Sequence, residues 1–87
     1  MHVDLEITYR NGTPRLGYLY LADPTEKSAH SRRISEAMVV DVNKDGKLIG
    51  IELLDPTQVT LDSINDVLKS HGMEPLDESH LKPLLAA

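Results

Sequence analysis

Cysteine, tryptophan and phenylalanine are absent from the chain, and its only aromatic residues are three tyrosines. Without cysteine there is no disulfide framework, no thiolate metal ligand and no cysteine nucleophile. Because aromatic residues are so few, the core has to be aliphatic. No apolar run approaches the ~20 residues of a membrane span, and the first residues lack the apolar core of a signal peptide. These absences predict a cytoplasmic protein without a membrane anchor.

The charge balance is acidic and the chain is short. A formal net charge of −5 and a pI of about 5.2 disfavour non-specific binding to nucleic acid or to an anionic membrane. Eighty-seven residues suffice for one domain that buries roughly 60–65% of its extended-chain surface. The sequence therefore predicts a single domain over residues 1–87, with neither nucleic acid nor membrane as a partner.

A β-hairpin is predicted over residues 37–55, which read AMVVDVNKDGKLIGIELLD. Two runs of β-branched and aliphatic residues flank Asn43-Lys44-Asp45-Gly46. Asparagine and aspartate tolerate turn dihedrals, and Gly46 can take a positive φ without a Cβ clash. The pattern indicates a type I turn closed by a glycine bulge.

The predicted hairpin is apolar on both faces, whereas a sheet with one wet face alternates apolar and polar residues. With a period of two, Ile49, Ile51 and Leu53 share the face on which a helix is expected. The opposite face is expected to carry Val40 and Leu48. Two interpretations of its cover stay open: a half-wet face of a central hairpin in a small domain, or a partner subunit.

Further strands are predicted before the hairpin. Residues 3–9 alternate apolar and polar side chains, which indicates an amphipathic strand, and residues 16–21 are expected to pair antiparallel with it. Residues 29–34 are polar and suit an exposed edge strand, where charge discourages pairing with other chains. The prediction is an antiparallel meander of four strands, or five with this segment, within residues 1–55.

After Pro56 the apolar period becomes helical. Thr60 is a candidate cap for a helix over residues 60–72, and Gly72 is a candidate left-handed C-terminal cap, with Met73 folding back onto the apolar stripe. A second, short helix is predicted over residues 77–85. The fold class is therefore α+β: an antiparallel meander sheet followed by a C-terminal helix packed on one face.

The hairpin also satisfies a calcium-loop pattern, D-x-[DN]-x-[DN]-G-x₅-E, through Asp41, Asn43, Asp45, Gly46 and Glu52. An EF-hand needs an incoming and an outgoing helix that wrap the loop around one ion. Here the flanking residues are typical of strands. In a hairpin the first and last carboxylates lie along the ladder, away from the turn. We therefore predict no metal site and no cofactor.

Other chemical candidates are sparse. The four histidines, His2, His30, His71 and His80, have no metal-ligand spacing. Three serines near His30 lack a nucleophile elbow; they are Ser28, Ser31 and Ser35. Asp41 and Glu52 are the two carboxylates of the apolar hairpin, and a buried pair there is a candidate acid and base. The alternative places them at the sheet rim or beside Arg32 or Arg33. No catalytic residue is predicted.

Residues 40–54, VDVNKDGKLIGIELL, together with the LGYLYL strand at 16–21 and the Arg32/Arg33 segment, resemble a small prokaryotic family, domain of unknown function 2283. The similarity covers about residues 5–55, and the hairpin is its specific part. The turn at residues 11–15 departs from the acidic run of the family. The resemblance implies a compact meander sheet with a following helix and no established activity. Some members of that family are encoded beside small toxin-like proteins, so the resemblance also implies an antitoxin-like role as a possibility to test.

The sequence-based hypothesis is a small acidic, non-enzymatic interaction module that self-associates as a homodimer. The alternative is an antitoxin-like partner that neutralises a small basic ribonuclease-type toxin. A third hypothesis is a small enzyme that uses the carboxylates of Asp41 and Glu52.

Overall fold

The computed structural model describes residues 3–23 and 25–82. Five strands form one antiparallel sheet, and a helix and two 3₁₀ turns follow it. The strands are β1 (Asp4–Arg10), β2 (Thr13–Tyr20), β3 (His30–Arg33), β4 (Met38–Val42) and β5 (Leu48–Leu53). The helix α1 covers Leu61–Ser70, and the 3₁₀ turns cover Pro56–Gln58 and Glu78–Leu81. The α+β class and the fifth strand are confirmed.

The strand order is β1-β2-β5-β4-β3, so the predicted sequential meander is wrong. After β2 the chain crosses to the far edge, forms β3 there, and returns through β4 to β5, which pairs with β2. The central strand is thus β5, in which five of six residues are buried. A strand that apolar is best covered in the middle of the sheet, whereas the polar β3 is exposed along its whole length at an edge.

The helix lies within the predicted range. The Thr60 hydroxyl accepts a hydrogen bond from the backbone N–H of Ser63, and the Ser63 hydroxyl accepts one from the N–H of Thr60. At the other end Gly72 has a φ of +71°, and the N–H of Met73 donates to the carbonyl of Leu68 over 2.9 Å. A second bond, from the N–H of Gly72 to the carbonyl of Lys69 over 3.0 Å, completes a Schellman motif, which satisfies carbonyls that the last turn leaves unpaired. Both predicted caps are confirmed.

The core lies between one face of the sheet and the C-terminal segments. Leu19 of β2 and Ile51 of β5 are fully buried there against Ile64 and Leu68 of α1. The predicted second helix is a single 3₁₀ turn capped by Asp77, and its Leu81 is fully buried in the same cluster. Residues 83–87, which hold the rest of that prediction, lie outside the described residues. Within residues 3–23 and 25–82, no helix has the length and apolarity to span a membrane.

A bulge in β5 changes which side chains face the helix. Asp41 pairs with Gly50 and Val42 pairs with Leu48, so Ile49 has no partner on β4. Leu48 is 1% exposed within the core, whereas Ile49 lines the opposite face beside Tyr18 and Tyr20. The predicted grouping of Ile49 with Ile51 and Leu53 is therefore wrong, as is the placement of Leu48 and Val40 on the face away from the helix. An extra residue in one strand reverses the alternation beyond it.

The hairpin turn is organised by the side chain of Asn43, which is 7% exposed. Its Oδ1 accepts hydrogen bonds from the N–H groups of Asp45 and Lys47, over 2.9 and 3.0 Å. Its Nδ2 donates to Glu26 of the connection between β2 and β3 over 3.0 Å. Gly46 donates its N–H to the Asn43 carbonyl and has a φ of +82°. The predicted type I turn with a glycine bulge is confirmed.

Gly46→Ala is expected to destabilise the protein by about 1 kcal/mol or more, because a Cβ strains a backbone at positive φ. Gly46→Asn is expected to cost less, since asparagine tolerates this region better. No neighbouring atom lies within 4 Å of the position a Cβ would take, so strain is the only source of the difference. Urea unfolding of the two variants measures it. Equal and negligible losses would contradict the assignment.

Candidate functional site

The face of the sheet opposite the core carries a cluster of carboxylates and phenols. Cross-strand pairing places Glu6, Tyr18 and Glu52 in one row over β1, β2 and β5, and Asp4 pairs with Tyr20 in the next row. Asp41 of β4 extends that second row beyond Gly50. We call this surface the acidic face; its residues are Asp4, Glu6, Tyr18, Tyr20, Asp41 and Glu52.

The Tyr18 ring crosses the central strand at Gly50. Its hydroxyl donates a hydrogen bond of 2.7 Å to Oδ2 of Asp41, which lies two strands away. A Cβ on Gly50 would lie 2.5 Å from Cζ of the ring, closer than any side chain allows. Glycine is therefore required here because an aromatic ring rests on its backbone.

Asp41 is held by donors from both sides. Its Oδ1 accepts a hydrogen bond of 2.5 Å from the hydroxyl of Ser31 on the edge strand β3, while Tyr18 binds the other oxygen. Such bonds to a carboxylate are stronger than bonds between neutral groups. The Tyr18–Asp41–Ser31 chain thus ties together β2, β4 and β3 on the acidic face.

The two tyrosines adjoin each other, with ring centroids 4.7 Å apart and planes tilted by 55°. Burial and then the hydrogen bond to Asp41 raise the pKa of Tyr18 well above its usual value. The nearby Glu6 carboxylate, whose Oε2 lies 3.4 Å from the Tyr20 hydroxyl, raises the pKa of Tyr20. Both phenols therefore stay neutral at pH 7 and act as hydrogen-bond donors, not as bases.

The carboxylates of the acidic face form no ion pair within the part of the chain that the structure describes. Among the residues that the structure describes, no lysine or arginine nitrogen lies within 4.0 Å of Asp4, Glu6, Asp41 or Glu52. Glu52 and Asp41 are half-buried, and Asp4 and Glu6 are exposed. The face therefore presents negative charge that nothing within the described chain neutralises at close range.

The structure brings Asp41 and Glu52 to the same face, with Tyr18 beside both of them. Asp41 is not available as a general acid or base, because the hydroxyls of Tyr18 and Ser31 already donate hydrogen bonds to its two oxygens. The hydrogen bond between Asp41 and Tyr18 was not predicted from the sequence. The available signal was Gly50, since a glycine inside an apolar strand indicates a close approach of another group.

The serine and histidine candidates are not assembled into a site. Ser31 bonds to Asp41 on the acidic face, and its neighbour His30 points to the other face, where it lines a cavity of about 270 Å³ with His71. The Ser28 hydroxyl donates to the backbone carbonyl of His30, not to its ring. His80 lies 3.1 Å from the Asp77 carboxylate. His2 is outside the described residues.

The residues of the calcium-loop pattern are used in other ways. Strands flank the loop on both sides, Asn43 binds the turn backbone, and Asp41 binds Tyr18 and Ser31. In the described part of the chain, no three histidine, aspartate or glutamate side chains are grouped so that they could hold a metal ion.

The fold and this surface define an α+β protein with an open antiparallel sheet, covered by a helix on one face and acidic on the other. Residues 17–55 match the model of the DUF2283 family, described as a protein of unknown function. This stretch, which begins within β2 and ends just after β5, is similar to that family, and the resemblance seen in the sequence is confirmed. Neither curated proteins nor solved structures yielded a match to the chain.

Proposed function

We propose that this protein is a non-enzymatic interaction module whose acidic face binds a basic protein partner. The observation that carries the proposal is a sheet face with four carboxylates, none of which is in ion-pair contact with a cation of residues 3–23 or 25–82. Lysine and arginine side chains of a partner would form charge-assisted hydrogen bonds with these oxygens. Their cationic groups would also be attracted by the faces of the two tyrosine rings.

The shape of the face favours a protein over a small molecule. Two depressions among its described residues measure about 160 Å³, beside Glu6 and Glu52, and about 150 Å³, beside Tyr20 and Ile49. Small-molecule sites commonly enclose ~300–1,000 Å³. Leu16, which is 49% exposed at the margin of the face, offers an apolar contact that a broad protein surface can cover. The same features give little support to the hypothesis of a carboxylate-based enzyme.

The class of partner follows from charge complementarity and from the family. A chain with a net charge of −5 and a concentrated acidic surface attracts a basic protein and steers its approach. The resemblance to a family with members encoded beside small toxin-like proteins favours a small basic toxin as that partner. We therefore propose an antitoxin-like function, in which the carboxylates of the acidic face contact the basic partner.

A lysine- and arginine-rich decapeptide tests the surface directly, by NMR titration of the labelled protein. Amide shifts are expected to concentrate on β1, β2 and β5, around the acidic face. Glu6→Lys/Glu52→Lys is expected to weaken binding about ten-fold or more, because two attractive contacts become repulsive.

Glu74→Lys/Glu78→Lys is the matched control, because it changes the net charge equally at two exposed residues outside the sheet. It is expected to leave the binding constant close to the native value. An equal loss in both variants, or shifts spread evenly over the surface, would mean that only net charge matters and would refute the assignment. Co-purification with a basic protein encoded beside the gene then identifies the natural partner.

A further inference from the structure

The two edges of the sheet differ in how they are protected. β3 has four residues, His30–Arg33, and its two adjacent arginines discourage pairing with another strand. β1 is longer, with seven residues, and it is regular, because the bulge between β1 and β2 places the extra residue, Arg15, in β2. A long, regular edge strand presents a row of unpaired backbone groups to a second strand.

The sequence of β1 is complementary to itself in the antiparallel direction. When two copies of DLEITYR overlap fully, Ile7 faces Ile7, and Asp4 of each copy faces Arg10 of the other. Leu5 then faces Tyr9 on the same side of the sheet as Ile7. A shift that moves the centre to Glu6 would place two glutamates opposite each other, which is destabilising. A shift to Thr8 would leave Asp4 beyond the paired region.

We propose that a second copy of this chain pairs with β1 about a two-fold axis at Ile7, which joins the two sheets into one of ten strands. A two-fold interface uses the same surface on both copies, and added strands bind mainly through backbone hydrogen bonds. The axis is perpendicular to the sheet, because facing residues must lie on the same side of it. Both helices then lie on one side and both acidic faces on the other.

The apolar side chains of β1 indicate what such a pairing would cover. Leu5 and Ile7 are half-buried at the margin of the core, and Tyr9 is 48% exposed on the same side of the strand. A second copy would extend this apolar row across the axis. The two Asp4–Arg10 pairs lie on the opposite side of β1 from this apolar row. They set the register between the two copies, because a shifted pairing loses them.

The dimer goes beyond the proposed function and does not depend on it. Self-association was predicted from the sequence through an apolar sheet face, and that face carries the acidic cluster instead. The pairing of β1 would place the two acidic faces side by side, with Asp4 of each copy paired to Arg10 of the other and with Glu6, Asp41 and Glu52 left open. Peptide binding by a monomer would therefore support the proposed function alone, and a dimer without peptide binding would support this inference alone.

Sedimentation equilibrium of the native chain and three variants tests the pairing. The native protein is expected to be a dimer at ~100 μM. Asp4→Arg is expected to raise the dimer dissociation constant roughly 30-fold, because two attractive pairs become repulsive. Adding Arg10→Asp, which restores opposite charges across the axis, is expected to bring the constant back near the native value.

Asp66→Arg makes the same charge change at an exposed position of α1 and is expected to leave the dissociation constant unchanged. Circular dichroism checks that every variant is folded; the side chain of Asp4 is exposed and makes no hydrogen bond to a described residue. A native monomer at ~100 μM would overturn the proposal. A dimer that Asp4→Arg does not weaken, or a double variant that does not recover, would also overturn it.

Discussion

Val40→Glu is expected to leave the chain unfolded at 25 °C, whereas Val39→Glu is expected to leave it folded. Val40 is 1% exposed in the core beneath the helix. A carboxylate there loses the packing of the valine and carries a charge into apolar surroundings, at a cost of several kcal/mol. A small domain has only ~5–15 kcal/mol of stability in total, so this loss removes most of it.

Val39 is the matched control, because the same substitution falls one residue away on the opposite face. It is half-buried and pairs with Arg33 on one side and Glu52 on the other. Arg33 attracts the new carboxylate and Glu52 repels it, so the two effects offset each other. The expected cost is below ~1 kcal/mol. Thermal unfolding followed by circular dichroism distinguishes the variants. A folded Val40→Glu protein would mean that the helix does not cover this face.

Gly50→Ala is expected to destabilise the protein by about 3 kcal/mol. The added methyl group enters the space of the Tyr18 ring, and such overpacking costs roughly 1–3 kcal/mol. Moving the ring also breaks the bond between the Tyr18 hydroxyl and Asp41, and a half-buried carboxylate that loses a donor costs a further ~1–3 kcal/mol. Urea unfolding measures the total.

A double-mutant cycle with Tyr18→Ala isolates the contact. Without the ring, Gly50→Ala is expected to cost less than ~1 kcal/mol, so the coupling between the two positions is large. Tyr18→Phe keeps the ring and removes only the hydroxyl, and it is expected to cost about 1 kcal/mol. Additive effects of Gly50→Ala and Tyr18→Ala would show that the ring does not rest on Gly50 in solution.

The features predicted correctly from the sequence are those that depend on neighbours in the chain. The turn at Asn43 and Gly46 and the caps at Thr60 and Gly72 each involve bonds within about five residues. Backbone dihedral preferences and short-range hydrogen bonds act before any distant segment arrives. Period-two alternation likewise predicted β1 as an amphipathic strand, and its Leu5 and Ile7 pack against the core.

The acidic face was predictable in composition but not in arrangement. Asp41 and Glu52 stood out because they interrupt an apolar hairpin, and the structure places both on one face. The bond between Tyr18 and Asp41 joins residues 23 positions apart. It exists only because β5 lies between β2 and β4, and that order was not predicted.

By itself the sequence determined an acidic, aliphatic α+β chain with its hairpin turn and its helix ends, because these follow from composition and from contacts between near neighbours. The tertiary structure decided that β5 lies between β2 and β4, and that the β5 bulge turns Leu48 inward and Ile49 outward. These outcomes depend on which strands compete for the same edge and on how well the buried side chains pack. That competition is settled by long-range contacts, for which a single sequence carries no local signal.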